Sequence, residues 1–123
     1  MIIETIIRDY LLEKIPNVPI EIKVPENATK VVVFRVIDRG KENQINAVTV
    51  EFYSYGKSLL EAIELDGLVR AAMENIVELP SIFSSRIGGG GEDYDEELKR
   101  DRYRAYFNLT YSRRKTWETQ HPM

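Results

Sequence analysis

The sequence contains no cysteine and a single histidine, and this scarcity excludes several common kinds of site. Without cysteine there is no disulfide, no thiol nucleophile and no thiolate zinc site, and the composition fits a reducing compartment. The one histidine, His121, lies close to the end of the chain, where a catalytic or metal site would lack a rigid frame. We therefore expect no enzyme activity, no bound metal and no cofactor.

The sequence also has no large excess of charge of either sign and no long apolar run. The formal net charge is −3, whereas a general nucleic-acid binder normally carries a basic surface. No apolar stretch approaches the length of a membrane span, and the first residues mix charged groups with isoleucines, unlike a signal peptide. The composition, with 43% hydrophobic and 30% charged residues, is typical of a soluble globular protein.

Two amphipathic helices are predicted from apolar residues at helical spacing. The first covers about Ile2–Ile15 and ends before Pro16, because proline disfavours the helical conformation of the preceding residue. The second follows a capping box formed by Ser58 and Glu61 and runs to about Val77. Its predicted buried stripe consists of Leu65, Leu68, Val69, Ala72, Met73 and Ile76.

Alternating apolar and polar residues predict the strands of a sheet. They occur at Lys30–Asp38, Ile45–Tyr55 and Tyr103–Tyr111, and a short strand between Pro19 and Pro25 is expected at an edge. The pattern predicts an α+β fold, a mainly antiparallel sheet with two helices packed on one face. We expect a single domain over residues 1–115 and a flexible tail over 116–123.

Four consecutive glycines, Gly88, Gly89, Gly90 and Gly91, raise the question of a phosphate-binding loop. The spacing of a phosphate loop and its lysine are missing, and the carboxylates that follow would repel phosphate. We interpret the run as a mobile loop or flexible arm, with glycine supplying backbone freedom. Residues from about Ser84 to Glu97 could instead form the partner strand of a long hairpin, which the glycines would weaken.

An acidic run follows the glycines and comprises Glu92, Asp93, Asp95, Glu96 and Glu97. Paired carboxylates act as acid and base only when burial separates their pKa values, so we interpret this run as solvated charge. A second interpretation is docking to a basic patch of a neighbouring subunit, such as Arg113, Arg114 and Lys115. Trp117 either folds back onto the domain or anchors on a partner.

Tyrosine and arginine alternate with apolar residues along the predicted strands, at Tyr53, Tyr55, Tyr103, Tyr106 and Tyr111. Such a face could stack single-stranded bases. Because the net charge is negative, we favour packing against a helix or another subunit.

The order of these elements resembles that of the tail terminator and tail-completion proteins of long-tailed bacteriophages and prophages. The likeness is carried by "KVVVFRVIDRG", by the strand and helix of "NAVTVEFYSYGKSLLEAIELDGLVRAAM", and by the closing strand "RYRAYFNLTY". These motifs cover most of the chain before Lys115, and they are similar in pattern and order. None of them is catalytic. Relatives are often described as minor capsid or head–tail joining components.

The resemblance implies a structural protein of the virion, assembled in the bacterial host cytoplasm. Such proteins form a ring, commonly a hexamer, that caps the tail tube and presents a surface to the head connector. The implied partners are copies of this chain, the tail-tube protein and the connector, with DNA passing through the lumen without sequence-specific binding and with no membrane.

A closed ring needs two complementary patches on each subunit. We predict that the acidic run and nearby basic residues supply them. The contact candidates are Glu92, Asp93, Asp95, Glu96, Arg102, Arg104, Tyr106, Arg113, Arg114 and Trp117. The alternative function is a small nucleic-acid-binding or regulatory module that uses the tyrosine–arginine sheet face.

Overall fold

The structure is a computed structural model that describes residues 3–42 and 45–112. Two α-helices and a five-stranded sheet form an α+β fold, so the predicted fold class is confirmed. In chain order the elements are α1 (Ile3–Lys14), β1 (Ile20–Glu21), β2 (Val31–Glu42), β3 (Ile45–Tyr55), α2 (Leu59–Glu74), a short 3-10 helix (Ile76–Glu78), β4 (Ile82–Glu92) and β5 (Arg102–Ser112).

The sheet has the strand order β1-β2-β3-β5-β4. All neighbouring strands are antiparallel except β1 and β2, which pair in parallel through Ile20 and Glu21. The short strand between the two prolines therefore lies at an edge, as predicted. Strand β4 forms the opposite edge, and β3 and β5 occupy the centre.

The core lies between the two helices and one face of the sheet, and its centre is aromatic. Phe34, Phe52 and Phe107 come from three adjacent strands and are fully buried. The ring centroids of Phe34 and Phe52 are 6.0 Å apart, and those of Phe52 and Phe107 are 6.3 Å apart. Burying each side chain stabilises the fold by roughly 1.5–3 kcal/mol. The apolar faces predicted from alternation are thus the ones that the helices cover.

Helix α2 begins at the predicted capping box. The Ser58 hydroxyl accepts a hydrogen bond from the Glu61 backbone N–H at 3.2 Å, and the Glu61 carboxylate accepts one from the Lys57 N–H at 2.8 Å. Two N–H groups that the helix leaves unpaired are satisfied in this way. The carboxylate reaches one residue further back than in the usual form of the motif.

Two details of the second helix differ from the prediction. The α-helix ends at Glu74, and Ile76–Glu78 form a separate 3-10 turn. Leu68, which was predicted to be buried, is 53% exposed, whereas Leu65 and Val69 are buried. The prediction was wrong at Leu68 because position 68 lies on the outer side of the helix. A leucine there still fits the three- and four-residue spacing of the buried residues, so spacing alone assigned it to the buried stripe.

The four glycines lie inside β4, where they pair with β5, so the prediction of a mobile loop or flexible arm was wrong about their position. The hairpin alternative is the one that the structure confirms. Gly89, Gly90 and Gly91 have φ values of 151°, 149° and 152°, which residues other than glycine rarely adopt. Glycine is required here for the shape of the strand.

Candidate functional site

The sheet face opposite the helices is polar and aromatic, and we call it the outer sheet face. The pairing of β3 with β5 places Glu51 beside Tyr106, Tyr53 beside Arg104 and Tyr55 beside Arg102. Tyrosine, arginine and glutamate therefore alternate across the two central strands. Guanidinium groups lie over the rings, with Arg102 4.4 Å from the Tyr53 centroid and Arg104 5.0 Å from that of Tyr106.

Glu51 lies at the centre of this face and binds two arginines. Its Oε1 accepts a hydrogen bond from Arg35 Nε at 3.1 Å, and its Oε2 accepts one from Arg104 Nη2 at 3.2 Å. Burial opposes ionisation of the carboxyl group, but the hydrogen bonds and charges of the two arginines outweigh it, so the pKa of Glu51 lies below its usual value. This carboxylate joins β2, β3 and β5 across the sheet.

A second cluster forms where the β4–β5 hairpin folds over the end of β3. Tyr55 donates its hydroxyl proton to Asp95 Oδ2 at 2.8 Å, and Arg102 Nη1 donates to the same Tyr55 oxygen at 2.9 Å. Arg102 also donates from Nε to Asp93 Oδ2 at 2.9 Å. One arginine therefore connects two carboxylates of the acidic run with a tyrosine of the central strand.

Asp95 also shapes the turn of this hairpin. Its Oδ1 accepts hydrogen bonds from the backbone N–H groups of Glu97 and Leu98, both at 3.0 Å. Burial opposes ionisation, but these hydrogen bonds, the one from Tyr55 and the charge of Arg102 together lower the pKa of Asp95. The carboxylate thus acts as a structural acceptor.

Arg100 ties the tip of the hairpin to the loop that precedes β2. Its guanidinium donates to the carbonyl oxygens of Ala28 at 2.7 Å and Thr29 at 2.6 Å, and it lies 5.0 Å from the Tyr55 ring centroid. An open groove of about 890 Å³ runs along this junction between residues 24–29 and 98–101. The groove is bordered by Lys57 at the start of α2.

The glycine run lies beneath an aromatic side chain of β5. A Cβ atom on Gly88 would meet the Tyr106 ring, and a Cβ on Gly89 would lie 3.1 Å from the Tyr106 hydroxyl oxygen. The ring therefore occupies the space that side chains would fill on β4. Aromatic residues that cover glycine on a neighbouring strand supply the packing that glycine lacks.

The structure separates the predicted contact residues into four groups, and Asp93 belongs to the group with partners in its own chain, because it pairs with Arg102. Glu92 and Glu96 are exposed, which agrees with solvated charge. Asp95 is buried, so that interpretation was wrong for this residue, because its partner Tyr55 is distant in sequence. The candidates Arg102, Arg104 and Tyr106 have partners within their own chain, and Arg113, Arg114 and Trp117 lie outside the described residues, together with Lys115 and the predicted tail. A role of any of these residues in subunit contacts stays a prediction.

Glu51, Arg35 and Arg100 were not predicted as site residues. A glutamate in the middle of an apolar strand, followed on the same face by Tyr53 and Tyr55, was the available signal for Glu51. The buried ion pair on α2 was missed as well, in which Asp66 Oδ2 lies 2.6 Å from Arg70 Nε. Burial raises the pKa of Asp66 even though Arg70 opposes the shift.

Two apolar surfaces lie outside the core. The outward side of α2 carries Leu60, Ile63 and Leu68, which are 67%, 41% and 53% exposed. Strand β4 carries Phe83 and Ile87, each 48% exposed. Apolar side chains clustered on one element indicate contacts with another macromolecule more often than isolated ones do.

Within residues 3–42 and 45–112, no group of three or more histidine, aspartate or glutamate side chains is placed to hold a metal ion. The helices in this part of the chain are too short or too polar to cross a bilayer. No protein-family model matches the chain, and no curated protein is significantly similar to it.

Proposed function

We propose that this chain is a structural subunit of a bacteriophage or prophage virion. In this proposal it is a ring-forming tail terminator or tail-completion protein that caps the tail tube and joins it to the head connector. It acts through its surfaces and makes or breaks no covalent bond. Its place is the head–tail interface of the virion, after assembly in the host cytoplasm.

The observation that carries the proposal is that α2 carries large apolar side chains on its outer side as well as on its inner side. Its inner side contributes Leu65 and Val69 to the core, and its outer side exposes Leu60, Ile63 and Leu68. A helix that only covers a sheet normally has a polar outer side, whereas the outer side of α2 interleaves these apolar residues with exposed Glu64 and Glu74. We infer that another subunit covers the outer side of α2.

That the assembly is a ring is inferred from the resemblance in sequence. The segment from Val48 to Met73, which carries much of the likeness, contains most of β3 and of α2. A ring is the closed form that a contact between two different patches of one chain produces.

The test is the mass of the native assembly, measured alone and with the tail-tube protein of the same phage or prophage. We expect a closed ring in solution or on the ends of tube particles, visible in electron micrographs. A chain that stays monomeric alone and does not bind tube ends would contradict the proposal. Leu68→Lys should weaken assembly, and Leu12→Lys on α1 is the matched control, because Leu12 is 36% exposed.

Nucleic-acid binding is less well supported, and we do not propose it. Arg35 and Arg104 share Glu51, and Arg102 contacts both Asp93 and Asp95, so three carboxylates balance the three arginines of the outer sheet face. Single-stranded DNA needs such cations for its phosphates. If a labelled single-stranded oligonucleotide binds at moderate salt and is released as the salt concentration rises, nucleic-acid binding would be supported instead.

A further inference from the structure

The sheet ends in two long edges that have no strand beside them among the described residues. Strand β4 is last in the strand order, so its outer edge is free over residues 82–92, which we call the β4 edge. Strand β1 pairs with only Val32 and Val33 of β2, which leaves residues 34–42 free, the β2 edge. Long free edges with exposed apolar side chains are templates for pairing with another chain.

Each edge exposes apolar side chains. Phe83 and Ile87 of the β4 edge are each 48% exposed, and Ile37 of the β2 edge is 40% exposed. Gly88 to Gly91 leave the second half of the β4 edge without side chains that could block an approaching strand. The proline that commonly protects edges is missing from both segments.

The net charges beside the two edges are opposite in sign, because Arg39 and Lys41 outnumber Asp38 on the β2 edge, and Glu74 and Glu92 outnumber Arg86 at the β4 edge. Arg39 and Lys41 of the β2 edge are exposed and form no ion pair within the described residues. Near the β4 edge, Glu74 and Glu92 are exposed and likewise lack an ion-pair partner in the described part of the chain. Glu74 lies close to this edge because its neighbour Met73 accepts a hydrogen bond from Ser85 of β4 at 2.8 Å.

We propose that the β4 edge of one copy pairs with the β2 edge of the next copy, so that one sheet continues from subunit to subunit. Strand direction alternates across β2, β3, β5 and β4, so β4 and β2 run in opposite directions. Rotation about an axis along the strands keeps these directions and makes the new pair antiparallel. With Ile37 opposite Arg86, that pairing brings the Lys41 end of β2 to the Ile82 end of β4, and the Phe34 end of the β2 edge to the glycines.

The contact joins two different edges of the same chain, and such a contact closes into a ring when its rotation divides a full turn. This inference rests on the proposed function for the ring and adds the surface that builds it. The outer sheet faces of neighbouring copies then form one continuous wall.

Disulfide cross-linking tests the pairing directly, because the chain has no cysteine of its own. Arg86 pairs with Asn108, a residue of the outer sheet face, so Arg86 and Ile37 share that face near the middle of each edge. One preparation carries Arg86→Cys, and a second, tagged to differ in mass, carries Ile37→Cys. Further partners carrying Arg35→Cys or Arg39→Cys scan the neighbouring registers.

We expect disulfides between the two preparations and none within either one, at least tenfold above Arg86→Cys mixed with Leu12→Cys. Disulfides only within the Arg86→Cys preparation would indicate a two-fold contact between β4 edges and would overturn the inference. The absence of any disulfide across the scan would overturn it as well.

A second measurement distinguishes a loss of assembly from a loss of folding. Ile87→Lys places a charge on the β4 edge and should shift assemblies to monomer with an unchanged circular dichroism spectrum, whereas Leu12→Lys should not. Intact rings of Ile87→Lys would contradict the inference. Rings without mixed disulfides would reject only the β4–β2 contact, and a chain that is monomeric and inert towards tube ends would reject the proposed function too.

Discussion

The glycine run provides a sharp stability test, because two neighbouring glycines share a backbone conformation and differ in what surrounds them. Gly90 and Gly91 have φ values of 149° and 152°. A Cβ on Gly90 would overlap the carbonyl oxygen of Arg104 and lie 2.8 Å from the Ala105 Cα, whereas a Cβ on Gly91 would meet nothing within 4 Å. Alanine at the two positions therefore separates backbone strain from close approach.

The expected magnitudes follow from these contacts. Alanine at such φ values costs about 1–3 kcal/mol in the folded state at either position. The stiffer unfolded chain offsets about 0.4–1 kcal/mol of that cost. Only Gly90→Ala adds the overlap with the β5 backbone, which cannot rotate away, and overpacking of this kind costs about 1–3 kcal/mol. We expect Gly90→Ala to lower the free energy of unfolding by about 1–3 kcal/mol more than Gly91→Ala.

Urea denaturation followed by circular dichroism measures this difference, with the m-value showing whether the same surface unfolds in each variant. Equal free energies of unfolding for the two variants would refute the close approach of β4 and β5 at Gly90. Two variants as stable as the parent would refute the strained conformation too. They would then favour the mobile arm that the sequence had suggested.

Three further results are expected. Gly67→Ala should stabilise the monomer by about 0.5–1 kcal/mol in urea denaturation, because Gly67 lies inside α2 and a Cβ there meets no atom of its own chain within 4 Å; a less stable monomer would contradict the free space around Gly67. Tyr106→Ala should lower stability by about 1 kcal/mol and speed hydrogen exchange at Gly88 and Gly89, while Tyr106→Phe should not, because the ring covers these glycines; unchanged exchange would exclude this role. Burial opposes ionisation of Glu51, but its arginines lower the pKa below the unfolded value of about 4.3, so its contribution is present above that pH and is lost as the pH falls through the folded value. Stability measured from pH 6 to pH 3 should therefore fall less steeply for Glu51→Gln than for the parent, and equal slopes would count against the cluster.

The central part of the fold could be predicted because its signals are local. The bounds of β3 match the prediction of Ile45–Tyr55, since strict alternation and Gly56 define both the strand and its end. The start of α2 was likewise predicted correctly from Ser58 and Glu61. In both places propensity, pattern and capping agree with the final structure.

Features that depend on distant partners could not be predicted in the same way. Asp95 looks like one carboxylate of a hydrophilic run, and only the return of the hairpin over β3 brings it to Tyr55. Glycine has a low strand propensity, so the sequence offered β4 only as an alternative to a loop, and choosing between them required knowledge of the tyrosine that covers the glycines. The exposed Leu68 was assigned to the core because helical spacing alone does not say how many sides of a helix are covered.

Glycine is needed at the four positions for different physical reasons. The same absence of side chains bears on both the folding of the hairpin and the proposed assembly. Gly88 leaves room for the Tyr106 ring, and Gly90 leaves room for the Arg104 carbonyl. Gly89 and Gly91 adopt φ values that favour glycine. Because all four positions lack side chains, the outer edge of β4 is also bare where a second strand would approach. Gly91→Ala overlaps no atom of β5 and carries only the cost of its backbone conformation, so it should weaken assembly with less loss of folding stability than Gly90→Ala.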